Sequence, residues 1–204
     1  MIVNYTQISR ELEWRSDDDF YHLQILKRKK EHPDLGSNSY MVKAYFITSK
    51  ESLAFHWPEI KCLCDFHNAR AGINLNRRSF KKLSMKTVSK VIGQIENEDF
   101  KSVRKAYNSV CGAHMNEEEK KWIIDIDTKD EEERIFSSDA MLKCDPPGPK
   151  VLFTLETKNG YHQITKPFNV KQYEEMYKGK KGYPKSKFEK PDIQKNNPTI
   201  LYIP

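Results

Sequence analysis

The chain predicts an α+β fold in two parts, an N-terminal α/β lobe and a C-terminal sheet built in the order β-α-β-β-α-β. Three observations predict it. Apolar or alternating runs at 121–127, 150–157, 161–165 and 199–203 read as strands separated by helix-period segments. Asn159-Gly160 sits between the second and third of these runs, a strong short-range hairpin signal. A hydrophobic fraction of 37% with 3 Trp, 10 Tyr and 10 Phe in 204 residues suffices for a packed core and argues against disorder.

Residues 1–39 read as an N-terminal helical segment. Asp17-Asp18-Asp19 reads as the solvated start of a helix, because carboxylates favour a helix N-terminus. Residues 19–32 (DFYHLQILKRKKEH) place Phe20, Leu23 and Leu26 at helical spacing and end in the basic run Lys27-Arg28-Lys29-Lys30. Pro33 and Gly36 break this segment. The α/β lobe is expected over 40–116. It opens with an alternating strand at 40–48, followed by a helix over 51–67 capped by Ser49. A short strand comes next at 69–75, then helix through 79–110 in one or two pieces. The polar stretch 113–120 marks the lobe boundary.

The remaining residues, 117–204, are expected to form a split-βαβ, RNA-recognition-like sheet. Trp122-Ile123-Ile124 opens a buried strand, and 130–143 reads as a helix stopped by Pro146-Pro147-Gly148-Pro149. Strands at 150–157 and 161–165 flank the Asn-Gly turn. A helix follows at 170–178, then a basic Gly/Pro-containing loop at 179–198 and a last strand at 199–203. In a split β-α-β of this kind the first and third strands lie side by side at the sheet centre.

Charge and composition exclude several classes. With 35 Lys and Arg against 29 Asp and Glu, the net charge of +6 favours a polyanionic partner. No apolar run approaches the length of a membrane span, and no basic-then-apolar leader is visible, so cytoplasm is the expected compartment. Cys62, Cys64, Cys111 and Cys144 imply no disulfide framework. Cys62, Cys64, His67, Cys111 and His114 would suit zinc only if two segments met, and Cys62-x-Cys64 falls in an expected helix, where i and i+2 diverge. Walker, Rossmann and nucleophile-elbow motifs are absent.

The chemistry-bearing residues lie in this C-terminal sheet. Period-two alternation puts Asp125 and Asp127 on one face of the first strand. Adjacent carboxylates repel and call for a proton or cation between them, and oxygen donors suit Mg2+ or Mn2+. His162, on the third strand, is expected beside the first, where an imidazole can contact a phosphate or a metal. Read singly, the acids are also consistent with a solvated strand end and the histidine with a half-buried strand residue. In the first lobe, alternation places Arg70, Gly72 and Asn74 on one strand face, with Arg77 and Arg78 following. This reads either as a phosphate- or template-binding strand or as a charged sheet edge. The loop at 178–190, basic with Tyr183 and Phe188, reads either as a contact for single-stranded nucleic acid or as a solvated loop.

Ile124-Asp125-Ile126-Asp127, then Lys158-Asn159-Gly160-Tyr161-His162 after a strand, resembles the archaeo-eukaryotic primase superfamily, which includes the primase-polymerases. Those catalytic cores carry an hDhD strand motif, a small-x-His motif and a third acid near a later strand. Asp125 and Asp127 match the first, and Gly160-Tyr161-His162 the second; Asp192 is the candidate third acid and Glu189 the fallback. The resemblance covers mainly residues 121–204 and implies nucleotidyl transfer to a nucleic-acid 3′-hydroxyl. It places two Mg2+ or Mn2+ ions on Asp125, Asp127 and the third acid, with His162 on the incoming triphosphate and Lys158 and Lys166 assisting as phosphate cations. It further implies a DNA or RNA template-primer, nucleoside triphosphates, a helicase or other replication partner in trans, no membrane, and an origin in a phage or mobile element. Two other readings stay open: a non-catalytic nucleic-acid-binding module, and a metal-dependent phosphodiesterase using the same acids.

Overall fold

A computed structural model describes residues 1–36, 39–114, 119–179 and 185–204. Two compact units emerge, one formed by 1–119 with 196–204 and the other by 120–195.

The first unit is built on a six-stranded antiparallel sheet in the order β1-β10-β4-β2-β3 with β5 paired to β2: β1 (Ile2–Val3), β2 (Asp19–Lys27), β3 (Tyr40–Ile47), β4 (Arg70–Ile73), β5 (Arg78–Ser79) and β10 (Thr199–Ile203). Its helices are α1 (Tyr5–Glu11), α2 (Lys50–His67), α3 (Phe80–Glu96), α4 (Phe100–Val103) and α5 (Ala106–Ala113). Ser49 caps α2 as expected, its hydroxyl accepting from the Ser52 amide at 3.0 Å.

Three sequence expectations need correction here. Residues 19–27 form a strand, not a helix. β2 lies between β3 and β4 and is buried on both faces over most of its length, with Phe20 and the polar His22 on one face and Tyr21, Leu23 and Ile25 on the other. Burial therefore does not follow a simple apolar/polar alternation, and the period-two signal is weakened. Phe20 packs with Leu83, Val110 and Cys111, while Leu23 and Ile25 on the opposite face are fully buried. The expected N-terminal helical segment therefore keeps only α1 and a 3-10 turn at Pro33–Leu35. Second, residues 79–110 divide into three helices, broken after Glu96 and again after Val103. Third, 199–203 is not the fourth strand of the C-terminal sheet. β10 pairs with β1 and β4, so the chain end returns to the first sheet. The acidic cluster at 17–19 does serve a helix start, but a distant one: the Asp18 carboxylate accepts from the Ser79 hydroxyl and from the Lys81 amide at 2.8 Å, at the head of α3.

The second unit contains a four-stranded antiparallel sheet, order β7-β8-β6-β9, from β6 (Trp122–Ile126), β7 (Val151–Glu156), β8 (Tyr161–Thr165) and β9 (Asp192–Gln194). With α6 (Glu131–Leu142) and α7 (Val170–Lys178) its element order is β-α-β-β-α-β, and β6 and β8, first and third, are the central pair. The fourth strand is β9, inside the stretch expected to be loop. Trp122, Ile124 and Ile126 point to one side and pack with Ala140 and Met141 of α6 and Tyr173, Met176 and Tyr177 of α7. Alternation sends Ile123 and Asp125 to the other side.

Asn159-Gly160 does connect two antiparallel strands, but not as a two-residue turn. Glu156 and Tyr161 are the closing pair, leaving a four-residue connection, and neither Asn159 nor Gly160 has a positive φ. Glycine is needed there for space: a Cβ at Gly160 would lie 1.9 Å from the Ile126 carbonyl oxygen and 2.6 Å from the Thr128 amide nitrogen.

Candidate active site

The register of the second sheet assembles the site. Asp125 on β6 pairs directly with His162 on β8 and, on its other side, with Asp192 on β9. Paired residues project to the same face, with Cβ atoms about 5 Å apart, so His162, Asp125 and Asp192 form one row across three adjacent strands. His162 is 7% exposed, and its Nε2 lies 3.2 Å from Asp125 Oδ1. Gln194, two residues beyond Asp192 on the same face of β9, donates from Nε2 to Asp125 Oδ2 at 2.8 Å. Both Asp125 oxygens are thus held, one by a ring nitrogen and one by an amide.

Asp127 lies just past the end of β6 and is exposed, as is Asp192. Its backbone lies in the Ile126–Thr128 stretch that Gly160 touches. This gives a steric reason for the small residue two positions before His162: the β7–β8 connection can close on the Asp127 strand end only where no Cβ intervenes. The Thr157 amide donates to the Gly160 carbonyl at 2.9 Å, and the Gly160 amide donates to Thr157 Oγ1 at 3.0 Å, fixing that connection.

The remaining expected site residues sort by position. Lys158 is exposed in the same connection, at the Asp127 end of the sheet. Lys166 follows the far end of β8, four residues from His162 and roughly 13 Å away at strand rise, so it does not join the row. Burial, with the Asp130 and Glu189 carboxylates nearby, raises the Glu133 carboxyl of α6, so Glu189 lies close to that helix, and it does not pair in register with Asp125. Asp192 is the acid in register with Asp125.

The first-unit candidates have structural partners. Arg70 pairs with Glu31, and burial pushes its guanidinium down to about 10. Asn74 Nδ2 donates to the Asn196 carbonyl at 2.6 Å. Arg77 lies 3.5 Å from Asp19 Oδ2 and 3.4 Å from Glu119 Oε2, and also donates to the Glu13 carbonyl at 3.3 Å. Arg78, 1% exposed, donates to the carbonyls of Cys111 (2.6 Å) and Asn76 (2.8 Å). The room left by Gly72 is taken by Pro198, 3.1 Å from where a Cβ would stand. In the loop at 178–190, Tyr183 lies outside the described residues, Lys187 pairs with Glu132, and Lys190 and Lys178 pair with Glu174.

Comparison with family models, curated proteins and solved structures returned no match. The site is therefore judged on its own donors. Asp125, Asp127 and Asp192 supply only oxygens, the donor set a hard divalent cation prefers, and the register brings two of them side by side. Among the described residues no three His, Cys, Asp or Glu side chains already converge as a metal cage, so sharing an ion requires the exposed Asp127 and Asp192 to turn toward Asp125. Cys64 and Cys111 are buried and Cys62 is exposed, and burial pushes the Cys64 thiol up to about 12 and Cys111 to about 11. Among the described residues, no helix is long and apolar enough to cross a membrane.

Sequence reading missed Gln194. The Asp-Ile-Gln alternation at 192–194 was its signal, lost because the short strand lies in a polar, lysine-rich stretch.

Proposed function

We propose that this chain is a metal-dependent nucleotidyltransferase of primase-polymerase type, working on a nucleic-acid template-primer with nucleoside triphosphates. The observation that carries the reading is the single cross-strand row His162–Asp125–Asp192, with Asp127 two residues on. It joins the two motifs of the primase resemblance on adjacent strands and supports Asp192 rather than Glu189 as the third acid. Within this reading the second unit is the RRM-like palm of such an enzyme.

Asp125, Asp127 and Asp192 would hold Mg2+ or Mn2+, which when bound lowers the pKa of a 3′-hydroxyl and neutralises triphosphate charge. The reaction forms a bond from the primer 3′-oxygen to the α-phosphorus and breaks the bond to the β-phosphate bridging oxygen. Pyrophosphate leaves and the hydroxyl proton passes to solvent. Gln194 and His162 restrict Asp125 to one orientation, which avoids reorganisation as charge develops. Lys158, at the Asp127 end, is placed to meet phosphate.

A second reading, a nucleic-acid-binding module without catalysis, is favoured by the engagement of both Asp125 oxygens within the protein and by the absence of three converged ligands among the described residues. Extension of a primed template with nucleotides and Mn2+ separates the two. Wild-type protein is expected to extend the primer, and Asp125→Ala/Asp127→Ala to lose at least about a hundredfold of that rate, the usual effect of removing central catalytic groups. Folded wild-type protein that binds template yet adds no nucleotide would leave the binding module. Cleavage of the template without added nucleotides would point to a phosphodiesterase.

A further inference from the structure

The basic run at 27–30 takes no part in the site above. The structure places it in the turn that leaves β2: the Glu31 and His32 amides both donate to the Arg28 carbonyl at 3.0 Å, folding 28–32 into a tight bend. The bend is pinned from three sides. Glu31 pairs with Arg70 on β4, His32 Nε2 lies 2.7 Å from the Asn68 carbonyl, and the Lys29 amide donates to the Ser39 hydroxyl at 3.3 Å. The one acid in the bend is thereby turned onto the sheet. Lys29 and Lys30 are exposed and Arg28 is half-buried, and among the described residues none of these three side chains has an ion pair. Elsewhere, Lys43, Arg77, Arg134, Lys187 and Lys190 all have carboxylate partners. Across the hairpin, Tyr40 is in direct register with Lys27 and remains 57% exposed.

We infer that this hairpin end, Arg28, Lys29 and Lys30 with Tyr40, is a contact surface for single-stranded nucleic acid, the cations meeting successive phosphates and the tyrosine ring stacking on a base. The inference rests on the nucleic-acid half of the proposed function and not on its chemistry. Clustered cations without internal partners gain most from counterion release by a polyanion. A flat exposed aromatic beside them suits a partner with its own π-faces, which unpaired bases have and lipid headgroups lack. The hairpin end also lacks the broad apolar face that an interfacial membrane helix would use.

The test is fluorescence anisotropy of a labelled single strand of about 20 nucleotides, longer than one binding site, titrated with full-length protein between about 50 and 200 mM salt. Arg28→Ser/Lys29→Ser/Lys30→Ser is expected to weaken binding at least about tenfold and to lower the log–log salt slope by about 2, near 0.7 per lost phosphate contact. Tyr40→Ala is expected to weaken binding about fivefold or more with the slope unchanged, and Tyr40→Phe to restore it. Matching urea midpoints establish that the variants are folded. Equal affinity and slope in wild type and triple variant would overturn the inference, as would binding to phosphatidylserine vesicles but not to the oligonucleotide. Hairpin-dependent binding by a protein that extends no primer would uphold this surface and remove the catalytic reading.

Discussion

Replacing Gly160 with alanine is expected to destabilise the protein by about 3–5 kcal/mol, in the range reserved for severe overpacking of a fixed backbone. The added methyl would lie 1.9 Å from the Ile126 carbonyl oxygen and 2.7 Å from the Thr128 carbonyl oxygen, both backbone atoms at the end of the central strand β6. No rotamer relieves such a clash, so the β7–β8 connection must lift away from Asp127. Thr157, which exchanges two hydrogen bonds with Gly160, moves with it. Gly93→Ala provides the contrast. Gly93 lies inside α3 with nothing within 4 Å of its Cβ position, and alanine there is expected to stabilise by about 0.5–1 kcal/mol. Urea unfolding of the two variants measures both. A Gly160→Ala protein as stable as wild type would show that the connection does not close on the Asp127 strand end as described.

Acidification is expected to cost the fold about 3–4 kcal/mol through His22 alone, because its ring is held down to about 4 in the fold against about 6.5 in the unfolded chain. His22 is 2% exposed, stacks on Phe46, and its Nε2 has no hydrogen-bond partner among the described residues. Burial, helped by the Arg78 guanidinium, holds its ring down to about 4. A depressed folded pKa means the unfolded chain binds the proton more strongly. The contribution is therefore fully present above about pH 6.5, falls as pH drops toward 4, and changes no further below that. Urea midpoints at pH 7.5, 6 and 4.5 are expected to decline more steeply for wild type than for His22→Phe, which lacks the titrating group. An NMR titration should place the His22 midpoint near 4. Parallel pH profiles for the two proteins, with a midpoint near 6.5, would contradict the burial argument.

Local signals were legible where one element owned its pattern. Ser49 marked the start of α2, Pro146-Pro147-Gly148-Pro149 a stop beyond α6, and Trp122-Ile-Ile a buried strand. Asp125 and His162 were legible because alternation and the expected pairing of the first and third strands fix which residues share a face, whereas Asp192 came from the primase resemblance alone, its strand having been expected as loop. What failed depended on distant partners. β2 read as a helix because elements from far along the chain cover both its faces. β10 carries the same kind of apolar run as any strand, and nothing local says that its partners are Ile2-Val3 and Arg70–Ile73 rather than β6. The Asn-Gly signal gave the hairpin, but the glycine is there for the close approach of Ile126–Thr128, a contact between segments over thirty residues apart. Arg77 and Arg78 read as free cations because the carbonyls and acids that bind them come from residues 13, 19, 76, 111 and 119.

The proposed function requires Asp125, Asp127 and Asp192 to share a divalent ion beside His162. The most direct measurement is Mn2+ titration followed by NMR, since the paramagnetic ion broadens only nearby resonances. The His162 ring signals are expected to broaden first, and Asp125→Asn and Asp192→Asn each to weaken Mn2+ binding at least about tenfold while Glu189→Gln leaves it unchanged, in keeping with an all-oxygen site. Broadening centred elsewhere, or equal Mn2+ affinity in wild type and Asp125→Asn, would contradict it.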